Sequence, residues 1–235
     1  MKKSFFAFTL AEILITLGII GIVAQMTIPA LIQDSQKKAT AVSLKKAYSE
    51  MSQAVKLSEI DNGPAKEWSW GTYNTTYTQT DSFNQYWKPY FKVIKFCPHW
   101  RDCGYTENCG SGCFLYKTLL PAGGQCGLSV QSNESRNLFA LSNGSIVFLV
   151  SYSLGAGPQT QEFIFVDLNG AKKPNTIGKD VFVFQISDIE GKGVIPYKVN
   201  ETNLCQKDST ADDASYFCTA RIMQDGWEIT DDYPW

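Results

Sequence analysis

Ala7-Phe8-Thr9-Leu10-Ala11-Glu12 opens the stretch that decides the fold, and Ile13 to Ile32 follow it as twenty residues without a charge. At about 1.5 Å per residue, a helix of that length spans about 30 Å, the thickness of a hydrocarbon core. Lys2 and Lys3 precede it. By the positive-inside rule they hold the short N-terminal side in the cytoplasm, which puts the rest of the chain outside. A secretory signal carries its small residues after the apolar run. Here Ala7 stands before the run and Gln33-Asp34-Ser35-Gln36 come after it, so the run is expected to persist as an anchor. Glu12 sits at the edge of that run, where a carboxylate is costly without a partner. A cut between Ala7 and Phe8 creates an α-amino group, and such an ammonium on one subunit can neutralise Glu12 of its neighbour.

The Ala7–Glu12 stretch resembles the prepilin cleavage motif of type IV pilins and type II secretion pseudopilins. The family usually has Gly before the cut, and Ala7 departs from that pattern. The resemblance implies a prepilin peptidase that cuts before Phe8 and N-methylates it. It implies that Glu12 is the assembly glutamate and Pro29 the proline that kinks the N-terminal helix. It implies assembly with other pilin or pseudopilin subunits, driven by an inner-membrane platform protein and an assembly ATPase. The implied location is the bacterial inner membrane, single pass through residues 13–32, and after assembly a filament in the periplasm or at the cell surface.

Past the anchor, Ala41, Leu44, Tyr48, Met51 and Val55 recur at three- and four-residue steps, with Lys45, Lys46, Glu50 and Lys56 off that stripe. This is an amphipathic helix resting on an apolar surface, and Asn62-Gly63-Pro64 ends it. One helix from Phe8 to about Asp61 would be roughly 80 Å long, bent or locally melted at Pro29. A second, short helix is expected over Asp81–Ile94, with Pro89 against it. Ser145–Tyr152, Glu162–Asp167, Val181–Ile186 and Val194–Val199 read as strands with turn residues between them. The expected architecture is α+β, a long N-terminal helix packed on a four-stranded, mostly antiparallel sheet. The expected parts are a leader (1–7), a membrane or filament-core helix (8–32), an amphipathic helix (33–62) and a globular head (63–235). A last short helix is expected over Ala211–Met223, with Trp227 buried beyond it.

Of 235 residues, 44% are apolar and 19% charged, which excludes a disordered chain. The net charge is −2 and no basic run exceeds a Lys-Lys pair, so nucleic acid is not an expected partner. The seven cysteines all lie between residues 97 and 218. That suits an exported domain stapled by disulfides, and the odd number leaves one thiol free or paired between chains. Cys97, Cys103, Cys109, Cys113 and Cys126 form a loop cluster (97–126) around His99, the only histidine. Zinc is one reading of such a group, but no Cys-x-x-Cys pair is present. The expectation is two nested disulfides, Cys97–Cys113 enclosing Cys103–Cys109, with Cys126 the odd thiol. Cys205 and Cys218 bracket a polar segment that resembles the C-terminal disulfide loop of type IV pilins (205–218), and the resemblance implies that they pair.

Asp167-Leu168-Asn169-Gly170 begins a loop rich in oxygen ligands that runs to Asp180. It resembles a loop of pseudopilin-like heads, some of which hold calcium. Asp167, Asn169 and Asp180 are the candidate ligands, hard oxygens that suit that ion. Asx capping and turn hydrogen bonding account for the same residues. Asp212-Asp213 and Asp231-Asp232 read as solvated surface. There is no Gly-x-Ser-x-Gly and no Walker loop; a Cys97/His99 nucleophile pair is weaker than disulfide pairing, and no enzyme is expected. The functional expectation is a filament subunit, a type II secretion pseudopilin or a minor pilin. The alternative is a membrane-tethered extracytoplasmic binding protein that does not polymerise.

Overall fold

The computed structural model describes residues 9–69, 79–106, 115–120, 137–153, 160–187, 189, 191–211 and 213–235. The chain divides into two compact units, Met1–Ala39 and Thr40–Trp235. Helix α1 (Leu10–Asn62) contributes to both. It runs through Pro29 without interruption, so the local melting expected there is not observed. It ends where Gly63 takes a φ of 79°, a left-handed turn that a Cβ would strain, and the Gly63 N–H closes on the Glu59 carbonyl at 3.0 Å.

In the second unit, α1 buries Ala41, Leu44, Ala47, Met51, Ala54, Val55 and Ser58. The expected stripe is therefore the buried face, with Tyr48 half-buried at its margin. Ala47, Ala54 and Ser58 widen the stripe with small side chains that let the helix approach the sheet closely.

Among the described residues the sheet has eight strands in the order β1-β3-β4-β5-β7-β6-β2, with β8 also paired to β7. These are β1 (Val93–Cys97), β2 (Lys117–Thr118), β3 (Asn137–Leu141), β4 (Ile146–Ser153), β5 (Thr160–Asp167), β6 (Thr176–Ile177), β7 (Val181–Ile186) and β8 (Val194–Pro196). Most pairs are antiparallel; β2–β6 and β6–β7 are parallel. The fold is thus α+β with a mixed sheet, and the four-stranded expectation is corrected to eight. The four expected strands are β4, β5, β7 and β8, while β1, β2, β3 and β6 are additions.

Residues opposite one another across antiparallel strands share a face. Val147, Val166 and Phe182 line up across β4, β5 and β7, as do Leu149, Ile164 and Phe184. That face meets α1, where Tyr48 stacks on Phe184 with centroids 6.0 Å apart. Phe148 and Phe165 lie on the other face, against Tyr116 and Tyr216. Both faces being covered explains why Val181-Phe182-Val183-Phe184 is a continuous apolar run rather than an alternating one.

The helix expected over Asp81–Ile94 is shorter and irregular. α2 (Gln79–Ser82) passes into a single π turn, Phe83–Trp87, and Val93 and Ile94 belong to β1. Pro89 cannot donate to a continuing ladder, and the chain leaves the helix there. Phe83 and Trp87 are buried. At the C-terminus the expected helix over Ala211–Met223 is a 3-10 turn, Ala214–Phe217, followed by α3 (Cys218–Gln224). Trp227 is half-buried and packs on Tyr48 at 5.1 Å.

Candidate functional site

In the first unit, Thr9 and Glu12 start α1 together. The Glu12 carboxylate accepts the Thr9 N–H at 2.8 Å and its hydroxyl at 2.7 Å, while the Glu12 N–H donates to Thr9 Oγ1 at 3.3 Å. This is a capping box, in which two otherwise orphaned N–H groups satisfy each other's side chains. The signal was present as Thr-x-x-Glu within the same Ala7–Glu12 stretch. Ala7 and Phe8, the expected cut, lie outside the described residues.

The apolar residues that follow are exposed along the helix, including Leu14 at 61% and Leu31 at 71%. The two threonine hydroxyls among them bond to the helix backbone. Thr16 donates to the Glu12 carbonyl at 2.9 Å and Thr27 to the Val23 carbonyl at 3.0 Å. An apolar surface with its hydroxyls already satisfied is what hydrocarbon requires. By length and composition α1 can cross a membrane, as an anchor or as a signal sequence.

In the head, Cys97 pairs with Cys103 and Cys205 with Cys218, with Cα atoms 5.6 and 5.0 Å apart. The expected nested pairing Cys97–Cys113 and Cys103–Cys109 is therefore corrected. Cys97 ends β1 and the 3-10 turn Trp100–Cys103 folds back on it, which brings Cys103 within bonding reach. His99 and Asp102 cap that turn: the His99 N–H donates to Asp102 at 3.0 Å and His99 Nδ1 accepts from Arg101 N at 3.2 Å. With its sulfur in a disulfide, Cys97 is neither a zinc ligand nor a nucleophile. Cys109, Cys113 and Cys126 lie outside the described residues.

The candidate calcium residues do converge. Asn169 Nδ2 donates to Asp180 at 3.1 Å, and Asp180 also accepts the N–H groups of Asn175 at 2.8 Å and Thr176 at 2.6 Å. Asp167 accepts the Asn169 N–H at 3.3 Å and, on its other oxygen, the Tyr105 hydroxyl at 2.7 Å. The two carboxylates thus act as Asx-type clamps on their own loop. Among the described residues no group of three His, Cys, Asp or Glu side chains is placed to hold a metal.

Tyr105, Tyr116 and Asp167 form a polar knot within the aromatic core, with the two hydroxyls 3.1 Å apart. Burial, more than any neighbour, pushes the Asp167 carboxyl up to about 8 despite the Tyr105 hydrogen bond. Burial also raises Asp180 and lifts both tyrosines well above their ordinary range. No composition or spacing signal singles out Tyr105 and Tyr116, because the knot joins positions 62 residues apart.

At the C-terminal end, Arg221 donates to the Cys205 carbonyl at 2.7 Å, pairs with Asp225 at 3.4 Å and contacts Asp232. The buried Tyr233 hydroxyl donates to the Gly178 carbonyl. Gly178, at φ 92°, has no room for a side chain, since a Cβ would lie 3.2 Å from Cys218 Sγ.

A family model, described as a family of unknown function (DUF6613), matches residues 30–109 and 125–235. The chain belongs to the DUF6613 family. No curated protein and no solved structure matches it. The DUF6613 match covers the amphipathic half of α1 and most of the head, including both disulfides and Tyr105 and Asp167 of the knot, but not Tyr116. It begins at Ala30, after most of the apolar run and after Thr9 and Glu12.

Proposed function

We propose that this DUF6613 chain is a subunit of a type IV filament system, a type II secretion pseudopilin or a minor pilin. A prepilin peptidase cuts it before Phe8 and methylates the new N-terminus. The subunit waits in the bacterial inner membrane with its head outside the cytoplasm. An assembly ATPase and a platform protein then insert it into a filament. The observation that carries this reading is the division of one helix into two surfaces. Most of its residues before Ile32 are apolar and exposed, whereas those after Thr40 bury a stripe against the sheet of a disulfide-bonded head. The first surface needs lipid or other subunits; the second is satisfied by its own head. The large head favours a minor or pseudopilin role over a densely packed major subunit. The proposal assigns no catalytic residue and no metal.

The test is a shear assay on cells making the full chain. Wild type is expected in the sheared filament fraction and Glu12→Ala only in membranes. Equal recovery of the two in the sheared fraction overturns the assembly mechanism; for a filament confined to the periplasm, crosslinked multimers are compared instead, and equal multimer yield overturns it.

The Thr9–Glu12 capping box favours a second reading, because it gives Glu12 a task that needs no neighbour. In that case the chain is a tethered extracytoplasmic binding protein that does not polymerise. It predicts that wild type never leaves the membrane fraction.

A further inference from the structure

We propose that the β1 edge of the head is a docking surface for the acidic C-terminal face of a second copy of this chain. From Lys88 to Arg101 the sequence carries Lys88, Lys92, Lys95 and Arg101 and no acid; from Ile222 to Trp235 it carries Asp225, Glu228, Asp231 and Asp232 and no base. All eight residues are exposed. The two segments lie at different ends of one sheet. Strand β1 ends the strand order on its side among the described residues. The acidic segment is fastened near β6, toward the other end, by the Tyr233–Gly178 hydrogen bond and by Lys179 lying 5.3 Å over the Trp235 ring.

The β1 side also offers apolar surface. Ile94 is 68% exposed, and beside the strand a cleft of about 280 Å³ is lined by Leu57, Tyr90, Phe91 and Lys92 among others. Opposing charges exist at each end. Asp102 lies beside Lys95, whose ammonium donates to its carbonyl, and Glu50 lines the cleft. Arg221 holds Asp225 and Asp232, and Lys207 donates to the Asp231 carbonyl at 3.4 Å. Arg221 is shared between two of the four carboxylates, and Glu228 and Asp231 are exposed beside them.

Two unlike patches of opposite sign at different ends of the same sheet meet between copies rather than within one. Such a contact is heterologous, and where its rotation does not close it propagates into a filament. Complementary charge fixes the register of that encounter and excludes like-to-like pairing. The occupant, a second copy, rests on the assembly reading above; the patch itself does not. The bland account is that lysines on an edge strand merely block strand pairing, and the experiment separates the two.

Native membranes holding the full chain are treated with a zero-length carbodiimide, which condenses a lysine amine with a carboxylate in salt-bridge contact. The expected result is a dimer whose linked peptides join Lys92 or Lys95 to Glu228 or Asp231. Lys92→Glu with Lys95→Glu, or Glu228→Lys with Asp231→Lys, each lowers the dimer yield about tenfold, and all four together restore it to within about threefold of wild type. The restored variant also shows that the heads fold. A dimer linked only through other residues, no dimer at all, or a fourfold variant no better than its parents overturns the proposal. The Lys92/Lys95–Glu228/Asp231 link without sheared filaments removes the filament reading and leaves this contact standing. Filaments without the link do the reverse.

Discussion

The Glu12 carboxylate closes on the Thr9 backbone N–H at 2.8 Å, so the residue expected to seek a neighbouring subunit also caps its own helix. The two roles separate by substitution. A cap tolerates Glu12→Gln, because an amide oxygen still accepts, and it suffers equally from Thr9→Ala; loss of a cap costs about 1 kcal/mol. Charge pairing with a neighbour's ammonium makes Glu12→Gln as damaging as Glu12→Ala and leaves Thr9→Ala mild. The account predicts the second ranking in the shear assay.

The buried knot predicts an unusual pH dependence for the head. The Asp167 carboxyl lies near 8 in the fold against 3.8 as its ordinary value. The folded state therefore binds a proton that the unfolded state has released, and stability falls as pH rises between those two values. The slope for one such proton is about 1.4 kcal/mol per pH unit, an upper bound. Thermal unfolding of the full chain in detergent is expected to show a lower midpoint at pH 8 than at pH 5. Asp167→Asn should flatten that difference; an unchanged slope in the variant assigns it elsewhere.

Peptide mapping without reduction is expected to find Cys97 linked to Cys103 and Cys205 to Cys218. Closing the 13-residue separation of the second bond is worth about 3 kcal/mol in the chain-entropy account. Cys205→Ser with Cys218→Ser should lower head stability by about that much. A Cys97–Cys113 linkage would contradict the fold at the end of β1.

Leu44 is fully buried and Ile60 is 78% exposed, although both are large apolar residues on α1. Leu44→Ala should cost about 3 kcal/mol, and Ile60→Ala less than about 0.5 kcal/mol. Denaturant unfolding of the detergent-solubilised chain reads both. Equal effects would mean that the packed face of the helix is misassigned.

Much of this architecture was legible because it is periodic. The stripe from Ala41 to Val55, the stop at Asn62-Gly63 and the apolar runs of β4, β5 and β7 follow from spacing alone. Strand β3, Asn137-Leu138-Phe139-Ala140-Leu141, is too short to declare itself; its pairing with β1 and β4 sets it. Val93 and Ile94 extended a helical pattern in sequence, but Pro89 and the sheet edge took them into β1. The Cys97–Cys103 bond was missed because a local turn, Trp100–Cys103, reverses the chain within one disulfide's reach. The Tyr105–Asp167 knot was illegible because its members meet only once the sheet has formed.

The central claim is that this chain is cut before Phe8 and assembles through the helix that follows. The most direct measurement is the intact mass of the chain recovered from sheared surface material and from membranes. The account predicts a chain beginning at N-methylated Phe8, present in the sheared fraction. A chain that retains Met1 to Ala7 and occurs only in membranes would contradict it.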